Sequence, residues 1–385
     1  MEINSPPSNE VLDFCNSFKK SFKEHGWPNS KIETWKMTPL QKFIKDTSSL
    51  KHNSNYLISN NKNKFINNVD INNLEFLNSK YFQKNEMSRV ILSHISNAFE
   101  ILVPKNTSKK ETIDIKSSID AGIWSSSLII IKVPENVECN LALEFSLSSS
   151  SLCTPLIAID VGKGSNLSFG LSVINNSKSL NASNFVSLIE GDLSENSNLE
   201  MVLTQQGVTL SRSDININLN QNYSNYDLIG VYFGREKQHQ DITTCVNHLA
   251  ENTSSNQIIR GILDDSSVGV YQGGVKVAPN AQKTDGRQMS RALLLSNLAE
   301  SNSKPELEIF ADDVSCAHGA TIGELDKDQF FYLLSRGVSH SMARELLIKA
   351  YLNEVVEEIQ NDYLSDKLEK AIDFWLSEFK MKEVA

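Results

Sequence analysis

The sequence is poor in cysteine, poor in clustered cations and without any long apolar run, and each shortage excludes something. Five cysteines in 385 residues, at Cys15, Cys139, Cys153, Cys245 and Cys316, include no CxxC pair. So odd and sparse a set excludes a disulfide framework and predicts free thiols in a reducing compartment. The formal net charge is -10, and no long Lys/Arg run interrupts it, which argues against nucleic acid or an anionic membrane as partner. The short KKSFK near Lys19 reads as a solvated helix face. Apolar runs such as Leu128 to Ile131 are far too short to span a bilayer, and MEINSPPSNEVLDFC at the start has no apolar core of signal-peptide type. Together these features predict a soluble, cytoplasmic protein. Two further strings carry no chemistry. Gly162-Lys163-Gly164-Ser165 lacks the spacing and following helix of a phosphate loop and is a turn. His239 and His248 have no zinc-protease pattern around them and read as surface or satisfied core histidines.

Three textures follow one another along the chain. Val11, Phe14, Cys15, Phe18 and Phe22 recur at helical spacing over residues 10 to 25, with Ser8 or Asn9 as cap and Gly26-Trp27-Pro28 as stop. KIETWKMTPLQKF then reads as an extended segment, anchored by Trp35, that enters a short helix at Pro39. Residues 45 to 110 are rich in Asn, Ser and Lys. Apolar clusters at Tyr56 to Ile58 and Leu74 to Leu77 stand out there, and a helical pattern returns at Val90 to Phe99.

From about Ile113 the pattern changes to short alternating or apolar runs. They include Leu128 to Val133, Leu141 to Leu147, Leu156 to Val161, Leu167 to Ile174, Leu228 to Phe233 and Val268 to Val277, parted by Gly, Asn, Ser and Asp. So many strands with almost no helical spacing between them predict an all-β body. The length suits a parallel β-helix better than a sandwich. Its open ends need caps, for which the flanking helical segments are the natural candidates. Arg260, Asp264 and Asp265 read as charges at a coil edge.

Two stretches concentrate polar side chains. AQKTDGRQ places Gln282, Lys283, Thr284, Asp285 and Gln288 between two strands, either as a hydrogen-bonded turn or as a polar network at a subunit interface. ELEIFADDVSCAHGATIG begins as a strand at Glu306 and reaches Asp312, Asp313, Cys316 and His318, with Gly319 and Gly323 where it can bend or stop. That is either a metal or sulfur site, or a strand end whose polar groups pair internally. Cys-x-His alone is a weak metal signal.

Helical spacing returns near the C-terminus. Asp326-x-x-Gln329 opens one helix and Gly337 closes it. Ser339 or Ser341 caps a second, with a stripe of Ala343, Leu346, Leu347, Ala350, Tyr351, Val355 and Ile359. Ser365 or Asp366 starts a third, with Leu368, Ala371, Ile372, Trp375 and Phe379 on one side. Such stripes serve internal packing or a partner's groove.

YQGGVKVAPNAQKTDGRQMSRALLLS from Tyr271, and PELEIFADDVSCAHGATIGELDKDQFFYLLSRG from Pro305, resemble the C-terminal signature of the SufB/SufD family of iron–sulfur cluster assembly proteins. ETWKMTPL from Glu33 is similar to its N-terminal marker. The strong match covers about Tyr271 to Ile359, and the middle matches in texture only. His318-Gly319-Ala320-Thr321 looks like the SufD branch, and Gly286 departs from the Ala of many relatives. The resemblance implies a mainly β chain: a right-handed parallel β-helix over residues 111–323, an N-terminal helical region over 1–110 and a C-terminal one over 324–385. It implies a non-catalytic scaffold subunit that pairs with a SufB-like β-helix chain. A SufC-like ABC ATPase would dock on the C-terminal helices, at Phe330, Phe331, Leu334, Leu346, Leu347 and Tyr351. A homodimer of the chain alone is the form to look for when that partner is missing. His318, with Cys316 from the same motif, would face the partner's cysteine where a transient cluster forms, with none held stably by this chain alone. Gln282, Lys283, Thr284, Asp285, Gln288, Asp312 and Asp313 would form the subunit interface or a structural network. The chemistry agrees, because imidazole is a borderline ligand that suits iron and a shared site can release what it builds. The alternative is a β-helix polysaccharide lyase or hydrolase using Asp312 and Asp313.

Overall fold

The computed structural model describes residues 18–44, 47–53, 57–59, 65–69, 86–105, 107, 112–175 and 183–384, with side chains to 377. Val11, Phe14, Cys15, Tyr56 and the Leu74 to Leu77 cluster lie outside the described residues. Phe18 and Phe22 belong to a helical stretch, residues 18–25.

Strands mostly of ten or eleven residues alternate between two sheets, one ten-stranded and one nine-stranded, so that the chain winds as a solenoid of about seven turns. Every pairing within the solenoid proper is parallel and in register, as in Leu188↔Asp214 and Leu228↔Gln257. Among the described residues only the short strands Leu57–Ser59 and Ile66–Val69 pair antiparallel, with Thr112–Ile119 and Asn97–Leu102. Strands before residue 111 therefore join both sheets. The helix expected at Val90 to Phe99 is α1, Glu86–Ser93, followed by the strand Asn97–Leu102. The shift follows from Phe99 and Ile101, which enter the lumen core as a strand pair.

Side chains alternate along each strand between the lumen and the outer faces. The lumen holds one continuous apolar core, from Ile113 and Ile129 through Phe169, Phe185 and Leu203 to Tyr226 and Tyr271. Coil corners need residues that tolerate a left-handed backbone, and one corner repeats it at Asn136, Asn196, Tyr223, Asn252 and Lys283. Asn accepts this conformation readily, whereas Tyr and Lys do so only because the coil holds them. Each such residue donates its backbone N–H to the next corner, as from Asn252 to Gln282 and from Lys283 to Asp313.

The flanking helices do not cap the ends, contrary to expectation; they cover the faces. α2 (Lys327–Ser335), α3 (His340–Val356) and α4 (Asp362–Val384) follow the last coil. Val202, Ile229, Val231, Phe233, Ile258 and Ile262 make the outer side of the nine-stranded sheet apolar. Against them pack Ile348, Leu352 and Val356 of α3, and Leu364, Leu368, Ile372 and Trp375 of α4. Each side chain so buried contributes about 1.5–3 kcal/mol, enough to draw the helices along the flank. Ser339 caps α3 through the Met342 N–H. Its buried stripe is Ala343, Ile348, Leu352, Val355 and Val356, so the expected Leu346 and Ala350 are exposed. α4 starts at Asp362 rather than Ser365, because Asn361 accepts from the Tyr363 and Leu364 N–H groups. Arg260 is not at a coil edge. It lies mid-strand beneath Tyr351, while Asp264 pairs with Arg344 of α3.

The N-terminal region covers the outer side of the other sheet, where Trp35, Leu40, Met87 and Val90 meet Leu128, Leu156 and Leu188. The ETWKMTPL segment forms two 3-10 turns, Glu33–Trp35 and Leu40–Lys42. Trp35 lies flat on the Arg212 guanidinium, 3.7 Å from its carbon. Arg212 is fully buried and reaches Asp214 at 2.7 Å and Asp241 at 2.6 Å. Thr38 donates to Asp241 and meets His239 at 2.9 Å. The segment is tied to the last two coils as well: Lys304 bonds Glu33 at 2.7 Å, and Gln272 donates to the Thr34 carbonyl. No helix among the described residues is long and apolar enough to cross a membrane.

Two predictions follow from the buried charges. Arg212→Met strands Asp241 and Asp214 without their cation and should lower stability by about 3–5 kcal/mol in urea unfolding. Glu190 stands in the outer column below Asn216, and burial pushes its carboxyl up to about 7 although Asn216 donates to it. Folded chain then binds more protons than unfolded between 4.5 and about 7, so stability falls as pH rises through that window. Glu190→Gln should therefore melt above wild type at pH ~8, by the equivalent of about 1–3 kcal/mol, and match it at pH ~4.

Candidate functional site: the open end of the solenoid

The last coil consists of the strands Glu300–Ile309 and Val314–Glu324. Each pairs on one side only, with Val268–Val277 and Thr284–Leu294 respectively. Their outer rows of backbone N–H and C=O groups thus form an exposed edge, a template for another strand. The first edge carries Lys304, Pro305, Glu306 and Glu308. The second, Val314 to Gly323, has no Asp, Glu, Lys, Arg or Pro.

Sequence reading placed Cys316 and His318 at a strand end. They lie instead within the second strand, which runs through Gly319 and on to Glu324. Asp312 and Asp313 are in the corner before it, where Asp313 accepts from the Lys283 N–H and donates to Gln282. They are exposed corner acids and not residues of one strand. The AQKTDGRQ residues separate as well. Gln282, Lys283 and Thr284 build the corner, with Thr284 donating to the Ala281 carbonyl. Asp285 faces outward and pairs with Arg287. Gln288 turns into the lumen and is buried.

Register fixes what stands beneath the two motif residues. One lumen column runs Cys139, Leu167, Leu199, Tyr226, Ser255, Gly286, Cys316. Its neighbour runs Leu141, Phe169, Met201, Leu228, Gln257, Gln288, His318. Both columns are chiefly apolar until Tyr226 and Leu228, then polar or small to the open end. Cys316 and His318 are therefore the last rungs of a lumen that has changed character. Being two apart, they project on the same side, about 7 Å from Cα to Cα.

The thiol side of this end is crowded. A methyl at Gly286 would meet Cys316 Sγ at 3.4 Å, Val275 Cγ1 at 3.2 Å and His248 Nε2 at 3.7 Å. His248 is a satisfied core histidine, bonded to Thr253 and Ser255, and burial pushes it down to about 4. His239 is also buried and bonded. Partial burial raises the Cys316 thiol, opposed by a hydrogen bond from the Gly286 backbone. His318 is exposed and makes no hydrogen bond or ion pair among the described residues. No group of three or more His, Cys, Asp or Glu side chains is placed there to hold a metal ion. This end presents one imidazole and one thiol, too few side chains to enclose a metal ion by themselves.

Residues 117–351 match the family described as "SUF system FeS cluster assembly, SufBD core domain". The chain belongs to the SufBD family. Over 128 residues it is 39% identical to the iron–sulfur cluster assembly protein SufD of Escherichia coli (strain K12), across 33% of this chain and 30% of that protein. A SufBD family protein of Synechocystis is 35% identical over 168 residues, 43% of this chain and 37% of that one. The SufD of Bacillus subtilis is 25% identical over 311 residues, 76% of this chain and 69% of that protein. The chain thus spans about a third of the length of the first two relatives. The motif resemblance and the fold it implied, a parallel β-helix between helical regions, agree with these findings and with the structure.

A second surface lies on the flank. α2 buries none of its residues and exposes Phe331 (72%) and Tyr332 (56%), with Leu346 of α3 also open (45%). Phe330 and Leu334 are half-buried, as are Leu347 and Tyr351, the last packed on the sheet. Beneath α2 is a cavity of about 500 Å³ lined by Leu294, Leu295, Leu325, Phe330, His340 and Arg344. Sequence reading missed the polar lumen. Gln257 was the available signal, an amide at an inward position of an otherwise apolar run.

With its thiol raised above 9.0, Cys316 should be under ~1% thiolate at pH ~7. Iodoacetamide labelling of the Cys316 peptide in the folded chain, followed by mass spectrometry, should then accelerate about tenfold per pH unit up to pH ~9. A rate already at plateau at pH ~7 would show a thiolate held by some other group.

Proposed function

We propose that this chain is the SufD-type scaffold subunit of a cytoplasmic iron–sulfur assembly complex and does no catalysis itself. The observation that carries this reading is the open last coil, with His318 exposed on it beside an unpaired, nearly uncharged edge. A SufB-like β-helix chain with a similar open end would pair there, edge to edge, so that the two solenoids continue one another. His318 would then meet a partner cysteine, and the nascent cluster, as cargo, would be bound by ligands from both chains. Cys316 stands one rung away on the same side. Its thiol would ionise on contact with iron and add the softer ligand. A site shared by two chains holds its cargo only while they are apposed, which suits assembly followed by release.

The C-terminal helices support a second contact. Phe331 and Tyr332 are exposed on α2, a helix that buries nothing of its own, and Leu346 is exposed on α3. A SufC-like ATPase docked over it would drive movements of α2 that reach the adjacent last coil through Leu325 and Glu324. ATP hydrolysis would belong to that partner.

The test is co-expression with the genomic neighbours, affinity purification through this chain, and assay of iron and sulfide. Wild type should recover a second β-helix chain and an ATPase. His318→Ala should recover both and lose iron by ~10-fold or more. Equal iron in wild type and His318→Ala would remove the role given to that side chain.

A further inference from the structure

The two edges of the last coil differ in charge. Along Glu300–Ile309 the side chains of Glu300, Asn302, Lys304, Glu306 and Glu308 alternate to the outer face, one positive against three negative. Register sets Lys304 over Gln272, Glu306 over Gly274 and Glu308 over Lys276. Gly274 contributes no side chain to its column. Beside it lies a cavity of about 420 Å³, lined among others by Cys245, Lys276, Lys304, Glu306 and Glu308. The whole lining holds five carboxylates against three cations. Each cation is already engaged: Lys304 between Glu33 and Glu306, Arg212 between Asp214 and Asp241, and Lys276 with Glu308. Glu86 adds a further carboxylate. The cavity thus has both room and charge for a cation from outside.

We propose that this first edge docks a partner strand carrying Lys or Arg at alternate positions, one of which lies over Glu306 and enters the cavity at Gly274. The solenoid already answers acid with base in this way between its own rungs. Lys116 stands in register with Glu144 at 3.0 Å, and Lys276 with Glu308 at 2.9 Å. A strand laid on the edge sits about 4.8 Å above Glu300–Ile309, so basic residues opposite Glu306 and Glu308 repeat that arrangement one rung further on. The second edge, Val314 to Gly323, has no such row and selects no charge. The alternative is that the acids only guard an open edge against pairing. A guard predicts that neutral side chains in the partner's row pair at least as well as basic ones. A docking row predicts that basic ones are preferred.

The docking row rests on the edge-to-edge pairing proposed above for its partner's identity, and a surrogate separates the two. The probe is a full-length copy of this chain with its row reversed by Glu306→Lys and Glu308→Lys. It is mixed with labelled wild type, and binding is read by fluorescence anisotropy. At ~0.1 M salt, wild type should bind the reversed copy ~10-fold more tightly than it binds itself or a Glu306→Gln, Glu308→Gln copy, as two exposed ion pairs allow. The advantage should fall to under ~3-fold at ~1 M salt, where charges are screened within about 3 Å. Gly274→Met in the wild-type chain fills the cavity without strain. A methyl there would meet only the Thr244 carbonyl at 3.5 Å and Cys245 Sγ at 3.8 Å, both ordinary contacts. This variant should melt with wild type yet bind the reversed copy ~5-fold less tightly, the loss of one such pair. Equal binding of reversed, neutral and wild-type copies, or tighter binding of the neutral one, would overturn the docking row. Unchanged binding by folded Gly274→Met would overturn the cavity as the seat of the basic side chain. If co-expression recovers no second β-helix chain, the scaffold reading fails while this preference stands.

Discussion

In a solenoid each coil satisfies its backbone on the coil before and the coil after. That constraint governs this molecule. Over about seven turns the in-register parallel ladder makes every rung the floor of the next, so side chains form columns and the lumen is filled column by column. The last coil has no successor. Its edge is exposed not through any special choice of residues but because the ladder stops there while both flanking regions are spent on the faces. An opening of this kind is a liability in a monomer. Its persistence beside the motif residues makes it the natural place to look for function.

Covering the faces rather than the ends has a further consequence. The apolar outer side of the nine-stranded sheet holds α3 and α4, and the Trp35–Arg212 stack holds the N-terminal segment on the opposite side. Both clamps reach the terminal coils: Lys304 bonds Glu33, and Arg344 bonds Asp264 and the Leu295 carbonyl. The open end is therefore braced from two directions without being covered. The contact proposed for this end calls for that rigidity, because side chains on a mobile coil could not hold a shared geometry.

How much of this was legible in the sequence depended on whether burial left a mark. Strands such as Leu141 to Leu147 announce themselves because lumen and face alternate along them. Val314 to Glu324 reads in sequence as the end of the strand begun at Glu306, and not as a strand of its own, since a coil with nothing stacked above it has no reason to carry an apolar alternation. Its small residues, Ser315, Ala317, Gly319 and Ala320, are those an edge awaiting close approach would carry. The stripe of α3 was misphased because both Leu346 and Ile348 are apolar, and only docking decides which one is buried. Arg212 could not be read as the counterpart of Trp35. Nothing local links a buried guanidinium to an aromatic ring far back in the chain. The His318 motif itself was legible, and its neighbours in space were not, since Gln257 and Gln288 become its column only through the register.

The change in the lumen gives that register its meaning. An apolar core of this depth could have continued to the last rung, and stability alone would favour it. Polar and small residues instead replace apolar ones at Ser255, Gly286, Gln257 and Gln288, the two rungs beneath Cys316 and His318 in each column. Buried polar groups beneath an exposed pair are costly as packing and useful as orientation. On the thiol side the same coils pack closely, and Gly286 adds no methyl that would press on Cys316 Sγ. The terminal coil thus has different floors under these two side chains: close packing around Gly286 under the thiol, and buried amides in the column under the imidazole. A merely structural end of the solenoid would need neither.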